Sequence, residues 1–221
     1  VTPKRLPVTC DVLNTLCQAL NGQIFDMYTD LLMKAACCAA FFGFLRCGEF
    51  TTDQNTFNPE TNLCLEDLRL SVKGDEAHLL LKTSKTDPFR EGVIIPLHAM
   101  NHAICPVQAF KSFLPCRLQL STLPGMPLFL LQDGNALSRH RFLGMFSTVC
   151  ERSGINPAGY SGHSFRVGAA TSAAASKVPD HLVQALGRWS SSCYKTYIRT
   201  SKANIKWAQL TMCSSLYNSG V

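Results

Sequence analysis

The first part of the chain is dominated by apolar positions at helical spacing. They recur over residues 9–21 and again over 24–46, with the turn-forming pair Asn21-Gly22 between the two segments. This pattern predicts two helices. The longest uninterrupted apolar stretch, AACCAAFFGFL at 35–45, is shorter than the roughly 18 residues that a membrane span needs. It therefore predicts a helix buried in a protein core.

The middle of the chain changes to a strand pattern and then back to a helical one. Short alternating or apolar runs at 63–72, 77–84 and 92–97 predict a small antiparallel sheet of about three strands. Helical spacing returns at 105–114 and at 138–154, and the second of these segments opens on a Ser suited to cap a helix. The turn at 123–127 is interpreted as a loop and not as a linker between domains.

The last part of the chain, from Ser161 to about Leu216, is predicted to form four short helices. The breaks between them fall near Val178-Pro179, Gly187 and Thr200. With the sheet in the middle, the whole pattern predicts an α+β fold that is mainly α-helical.

Composition narrows the class of protein only slightly. Apolar residues make up 46% of the chain and charged residues 16%, which is typical of a globular protein. A net charge of +6 permits binding to nucleic acid, but many proteins without such a partner share it. The eleven cysteines include no C-x-x-C pair, and no secretory leader pattern follows the first basic residues. We therefore expect buried, reduced thiols in an intracellular protein, with no disulfide framework and no metal site.

The first chemical candidate is the stretch GHSFRVGAAT at 162–171. His163 and Arg166 are three positions apart, so on a helix they lie on one face, next to the unpaired N–H groups of the helix start. Together these groups are suited to bind a phosphate. The alternative is a histidine that caps the helix and an arginine that is solvated or paired on the surface.

A second candidate is Arg46, at the end of the most apolar predicted helix, with Glu49 three residues later. An arginine in such surroundings needs a carboxylate or a bound anion. The alternative is a helix-terminal arginine that is paired locally with Glu49 and has no further role.

A third candidate is the segment LGRWSSSCYKTYIR at 186–199, in which Tyr194 and Tyr197 are also three positions apart. A tyrosine hydroxyl titrates near pH 10 and is a weak nucleophile at neutral pH, but nearby cations stabilise its phenolate form. The alternative is a tyrosine that packs through its ring and hydrogen-bonds through its hydroxyl.

Taken in order, these pieces resemble the catalytic set of the tyrosine recombinases, the integrase family that shares its chemistry with type IB topoisomerases. The motifs that carry the resemblance are FLRCGEF, LKTSKTD, GHSFRVGAAT and LGRWSSSCYKTYIR. The last of these is most similar to recombinases of eukaryotic mobile elements of the crypton and DIRS-like groups. The resemblance implies the catalytic-domain fold of this family.

The resemblance also implies a role for each matching residue. Tyr197 attacks the scissile phosphate and forms a 3′-phosphotyrosyl bond, while Arg46 and Arg166 hold the non-bridging oxygens. His163 assists them, and Glu49 orients the neighbouring cations. Lys85, on the hairpin, protonates the departing 5′ oxygen, with Lys82 as its rival.

The chain departs from the family pattern at one position. A His or Trp usually follows the Leu-Gly step nine residues before the nucleophile, where this chain has Arg188 followed by Trp189. Either Trp189 takes that role through a shifted turn, or Arg188 substitutes as the donor. The nine-residue spacing from position 188 favours Tyr197 over Tyr194 as the nucleophile.

The partner that the resemblance implies is double-stranded DNA, with no cofactor, no metal, no small-molecule substrate and no membrane. Arg139, His140 and Arg141 open the helix at 138–154 and are candidates for DNA contacts, or else form a solvated basic face. The family's tail often packs on a neighbouring protomer, which implies a dimer or tetramer on DNA, although a lone domain is compatible with a monomer. In a eukaryotic host the protein is expected in the nucleus.

The resemblance implies that residues 1–221 form the catalytic domain, without the N-terminal core-binding clamp domain of the family. Two further functions stay open at this point. One is a domesticated DNA-binding protein that keeps the fold and no longer recombines. The other is a type IB topoisomerase, which the short hairpin disfavours.

Overall fold

The structure is a computed structural model that describes residues 5–53, 56–83 and 92–190. Within these ranges there are seven α-helices and one sheet of three strands. The helices are α1 Cys10–Asn21, α2 Met27–Phe42, α3 Cys47–Phe50, α4 Pro106–Leu120, α5 Arg139–Arg152, α6 Ser164–Ala175 and α7 Asp180–Leu186. The strands are β1 Leu68–Leu70, β2 Glu76–Leu81 and β3 Val93–His98. The predicted α+β class, mainly helical, is confirmed.

The three strands form an antiparallel sheet in the order β1-β2-β3. Leu79 of β2 lies between Leu68 of β1 and Ile95 of β3, and all three side chains are buried. The alternation along β2 turns this apolar face toward α4, which packs against β2 and β3. The three-stranded sheet predicted from the sequence is confirmed.

Helix α2 is the centre of the core and packs against α1, α4, α5 and α6. Every side chain from Ala35 to Phe41 is buried, which confirms the predicted burial of this helix. The helix ends at Phe42, because Phe44 adopts a left-handed backbone with φ 49° and the Leu45 N–H closes the turn onto the Ala40 carbonyl at 2.9 Å. The predicted limits of 24–46 are therefore too wide at both ends.

Helix α4 is longer than predicted and continues through Pro115 to Leu120. Its last turns are held by Arg117, which is fully buried and donates to the carbonyls of Ser121, Pro127 and Leu128 at 2.6–3.1 Å. These bonds compensate the burial of the guanidinium and fix the loop that follows the helix. The interpretation of 123–127 as a loop within the fold is confirmed.

The helices on either side of the candidate site lie close to their predicted boundaries, although α5 ends at Arg152 and α6 begins at Ser164. Ser138 caps α5 by accepting a hydrogen bond from the Arg141 N–H at 3.3 Å. A break at 176–179 separates α6 from α7, and Gly187 follows the end of α7. The last two of the four predicted C-terminal helices lie outside the described residues.

Nine of the cysteines lie in the described ranges; all nine are free thiols and seven of them are buried. The Sγ atoms of Cys17 and Cys38 are 3.6 Å apart in the contact between α1 and α2. Burial raises the pKa of the Cys37 thiol well above its usual value. These thiols act as small apolar groups of the core, as expected.

No helix of the described part is both long and apolar enough to cross a membrane.

Candidate functional site

Four separate elements meet at one surface groove of about 280 Å³. The start of α3, the end of β2, the start of α5 and the loop before α6 each contribute to its wall. The lining residues are Arg46, Cys47, Gly48, Glu49, Thr83, Arg139, Gly162 and His163. Three of these side chains are cationic or become cationic on protonation, so the groove is suited to an anion. A larger cavity of about 520 Å³, beside Gly74 and Lys111, contains no predicted site residue.

Arg46 lies at the start of α3, four residues after the end of α2, and not on the apolar helix itself. Its backbone N–H and its Nη1 donate to the two oxygens of Glu49, at 2.8 and 2.9 Å. The local pair with Glu49 is therefore formed. It leaves the Arg46 side chain 21% exposed and on the groove wall, so the pair orients this arginine and does not remove it from the groove.

Glu49 is also bound by a second arginine, from the far end of the chain. Its carboxylate is only 6% exposed and accepts a hydrogen bond from Arg188 Nη2 at 2.7 Å. Arg188 Nη1 donates to the Gly43 carbonyl at 2.9 Å, at the end of α2. Burial lowers the pKa of Arg188, and the charge of Glu49 opposes that shift. One carboxylate thus connects two guanidinium groups and leaves the cluster with a net positive charge.

His163 and Arg166 occupy different depths of the same region. His163 is the residue before α6; its side chain makes no capping hydrogen bond and lines the groove. Arg166 is only 4% exposed and lies behind the groove wall. Its Nη1 donates to the Phe44 carbonyl at 2.6 Å and its Nη2 to the Gly187 carbonyl. The guanidinium also lies over the ring of Trp189, with Cζ 4.4 Å from the ring centroid.

Gly162 explains why the loop before α6 approaches α3 so closely. A Cβ at this position would lie 2.8 Å from the Cβ of Cys47, closer than real side chains approach. The same Cβ would be 3.4 Å from Nη2 of Arg139. The missing side chain therefore lets α3, α5 and the loop before α6 converge, which brings Arg46, Arg139 and His163 to one groove.

The groove favours the neutral form of His163. Partial burial lowers its pKa, and the positive charges of four arginines add to the effect. These arginines are Arg5, Arg139, Arg46 and Arg166. A neutral imidazole both donates and accepts hydrogen bonds, so it can take a proton at neutral pH.

We expect Arg139→Gln to raise the pKa of His163 toward its ordinary value, because the substitution removes one of the charges that oppose protonation. Because the pKa of His163 is lower in the folded chain than in the unfolded chain, the unfolded chain binds more protons as the pH falls below about 6.5. The free energy of unfolding therefore decreases over that range. Arg139→Gln should make this loss smaller. NMR titration of the imidazole measures the pKa directly. Arg152→Gln, about 20 Å away at the other end of α5, is the control, and an equal shift there would contradict the assignment.

The three basic residues predicted for DNA contact separate in the structure. Arg139 enters the groove beside His163, which the sequence pattern did not indicate. His140 is exposed on the surface. Arg141 forms an exposed ion pair with Asp133, as expected of a solvated basic face. Arg5, whose charge also acts on His163, was missed because no motif marks the start of the chain.

The two hairpin lysines are distinguished by their surroundings. Lys82 Nζ lies 2.8 Å from the carboxylate of Asp67 and donates to the Pro59 carbonyl at 2.7 Å. Its ammonium is held there. Burial lowers the pKa of Lys82, but the hydrogen bonds that its ammonium donates to Asp67 and Cys64 outweigh this effect, so the pKa is raised. Lys85, Tyr194 and Tyr197 lie outside the described residues.

Solved structures with a similar fold are recombinases and integrases. XerH site-specific recombinase bound to palindromic difH substrate shares 16% identity with a TM-score of 0.69, over 95% of this chain and 54% of that one. A Tn1549 transposon integrase with circular intermediate DNA shares 18% identity with a TM-score of 0.64, over 96% and 67% of the two chains. A lambda integrase dimer on a COC' core site shares 19% identity with a TM-score of 0.57, over 90% and 49%.

The chain therefore spans about half the length of the first of these structures. No protein with a curated description matches it significantly.

The fold is that of the catalytic domain of a tyrosine recombinase. The model of the phage integrase family matches residues 71–212, more than half of the chain. The chain belongs to the phage integrase family.

Proposed function

We propose that this chain is the catalytic domain of a site-specific DNA recombinase that cuts and rejoins duplex DNA for the integration or excision of a mobile element. The observation that carries the proposal is the convergence of Arg46, Arg139 and His163 on one groove, with Arg166 directly behind it. Three helices distant in sequence, α3, α5 and α6, thus bring arginines to or near a space suited to one phosphate. Such an arrangement stabilises the charge of a pentacovalent transition state.

In the proposed reaction, the Tyr197 phenol oxygen attacks the scissile phosphorus while the bond to the 5′ oxygen breaks. His163, neutral in the groove, accepts the phenol proton. Arg46 and Arg139 bind the non-bridging oxygens, and the buried charge of Arg166 adds to the positive potential. The 3′-phosphotyrosyl bond keeps the energy of the broken bond, so another 5′ hydroxyl can rejoin the strand. No cofactor or metal takes part.

The general acid in this proposal is Lys85. It would donate its proton to the departing 5′ oxygen. The rival, Lys82, is held by the Asp67 carboxylate and the Pro59 carbonyl, which makes it a poor donor to DNA. A lysine three positions further along the hairpin is therefore the better candidate.

The biological setting is part of the proposal. The segment GRWSSSCYKTYIR supports a recombinase of a eukaryotic mobile element of the crypton or DIRS-like type. Such a protein acts on genomic DNA inside the cell, in the nucleus of a eukaryotic host, and self-associates as a dimer or tetramer on its site.

The test is capture of the covalent intermediate. The chain is incubated with a pool of nicked duplexes that carry random sequence around the nick, so that the short departing strand is lost and the cut is trapped. We expect a protein–DNA adduct on a denaturing gel, absent in Tyr197→Phe and retained in the matched variant Tyr194→Phe. Loss of the adduct in Tyr194→Phe alone would identify Tyr194 as the nucleophile. Failure to form an adduct with any duplex of the pool would contradict the proposal.

A second candidate is a DNA-binding protein that keeps the fold but no longer cuts DNA. Arg188 favours it, since this residue occupies the family's His or Trp position and is bonded to Glu49 and Gly43. Salt-sensitive duplex binding that is equal in Tyr197→Phe, without any adduct, would support this candidate. Relaxation of supercoiled plasmid without a sequence requirement would instead indicate topoisomerase activity.

A further inference from the structure

Arg166 is a buried cation that contacts two carbonyl oxygens and one aromatic ring. The side chain is only 4% exposed, and its guanidinium donates to Phe44 and to Gly187. Transfer of a guanidinium out of water is unfavourable unless other interactions replace its hydration. The ring of Trp189 lies 4.4 Å from Cζ, within the range of a cation–π interaction, which is strongest when water is excluded.

The turn after α7 is shaped to bring this ring into place. Gly187 ends the helix, Arg188 has a left-handed backbone with φ 55°, and the Trp189 N–H donates to the Gln184 carbonyl at 3.1 Å. Gln184 Nε2 donates in turn to the Trp189 carbonyl at 3.0 Å. Both bonds hold the residue back against the helix that it follows, so the ring turns inward and not toward solvent.

Gly187 is required for the same arrangement. A Cβ at this position would lie 1.7 Å from an atom of the Trp189 ring. The ring therefore lies directly on the Gly187 backbone, whose carbonyl accepts the hydrogen bond from Arg166. The ring also packs edge-to-face against Phe44, at 6.1 Å between centroids. The carbonyl of Phe44 is the second acceptor of Arg166.

We propose that Trp189 is a positioning residue that holds the guanidinium of Arg166 behind the groove. The indole face, the Gly187 carbonyl and the Phe44 carbonyl form one seat, built from the turns that end α7 and α2. Trp189 is only 7% exposed, so in this proposal it acts on the reaction through Arg166. The seat stands on geometry alone, while its effect on strand cleavage rests on the proposed function.

The neighbouring Arg188 makes different contacts from the same turn. Its guanidinium reaches Glu49 and Gly43, which ties the turn to the Arg46 side of the groove. Arg188 is therefore connected to Arg46 through Glu49, and Trp189 contacts Arg166. In this chain two consecutive residues, and not one, make these two connections.

The first experiment tests the seat without DNA. The chain contains two tryptophans, Trp189 and Trp207, so Trp207→Phe leaves Trp189 as the single indole fluorophore. In this background we expect Arg166→Met to shift and change the intensity of the emission, because the ring loses its cation. Arg152→Met, on exposed helix surface, is the matched control and should leave the spectrum unchanged. A folded Arg166→Met variant with an unchanged spectrum would overturn the seat.

The second experiment tests the effect on the reaction, with nicked duplexes captured from the random pool. Trp189→Leu is expected to slow adduct formation by on the order of 30-fold, the factor that a desolvated cation–π interaction represents. Trp189→Phe keeps an aromatic face and should retain most of the rate. Thermal unfolding of both variants confirms that each is folded.

A methylphosphonate at the scissile position separates positioning from a merely structural role. This substrate carries no phosphate charge, so it depends less on Arg166. We expect the defects of Trp189→Leu and of Arg166→Ala both to shrink on it, and the double variant to be no worse than the worse single variant. A Trp189→Leu defect of equal size on both substrates would overturn the positioning role. If the unmodified chain forms no adduct at all, the proposed function fails and the fluorescence result alone decides the seat.

Discussion

Replacing Glu49 with Gln is expected to lower the free energy of unfolding by about 3–5 kcal/mol, the effect of removing one partner from a buried ion pair. The carboxylate is 6% exposed and lies between Arg46 and Arg188, which are 21% and 11% exposed. A Gln side chain has the same shape, but it places an N–H₂ group against one of the donors that now point at an oxygen. Two guanidinium groups would then share a partly buried space without their counter-charge.

Urea unfolding followed by circular dichroism measures this change in stability. The matched control is Asp133→Asn, which breaks the exposed pair with Arg141 and is expected to change stability by about 1 kcal/mol at most. Equal effects of the two substitutions would show that burial does not strengthen the Glu49 network. Because Arg46 also loses its orientation, adduct formation should fall in Glu49→Gln even at temperatures where the variant is folded.

Replacing Gly168 with Ala is expected to destabilise the chain by about 3 kcal/mol, at the upper end of the range for overpacked sites. In most helices this substitution stabilises, since Ala is a better helix former than Gly by about 1 kcal/mol. Here a Cβ would lie 1.7 Å from the carbonyl oxygen of Val8 and 2.4 Å from its carbonyl carbon. The obstacle is backbone, so the steric effect outweighs the gain in helix propensity.

The control for Gly168 is another helical glycine of the same chain. Gly144 in α5 has no atom within 4 Å of an added Cβ, so Gly144→Ala should stabilise by about 1 kcal/mol. Thermal unfolding of both variants gives opposite signs if the contact with Val8 is as described. A stabilised Gly168→Ala variant would mean that the segment before α1 does not lie against α6. That segment also carries Arg5, so its displacement should raise the pKa of His163.

The elements that the sequence predicted well are those with a strong period and a local boundary. The start of α5 after Ser138 was predictable because the capping hydroxyl and the apolar spacing are both visible in the sequence. The sheet was predicted because its apolar runs are separated by turn residues. For α2, the composition of 35–45 was sufficient to indicate burial.

The end of α2 and the conformation of the turn after α7 were harder to predict, because residues other than glycine adopt the left-handed backbone there. Phe44 has φ 49° and Arg188 has φ 55°, in a conformation that usually selects Gly or Asn. Tertiary contacts compensate the strain: the carbonyl of Phe44 accepts from Arg166, and the side chain of Arg188 reaches Glu49. Local propensity contains no sign of either contact.

The site was predictable as far as its motifs are local. The pair of Arg46 and Glu49 follows from a spacing of three residues, and its geometry is as expected. The link from Glu49 to Arg188 spans 139 positions, and only the fold brings the two together. Arg139 was identified as a candidate for DNA contact, but its place beside His163 depends on Gly162, whose missing side chain allows the approach.

The buried thiols of the core determine how the chain behaves once it has opened. Seven cysteines that are sealed in the folded state become accessible to oxidants on unfolding, and Cys17 and Cys38 are already neighbours. In air, molecules that remain unfolded would form disulfides that the fold does not contain, and their denaturation would become irreversible. The thermal history of a sample, and the reductant in its buffer, would then decide how much active protein survives.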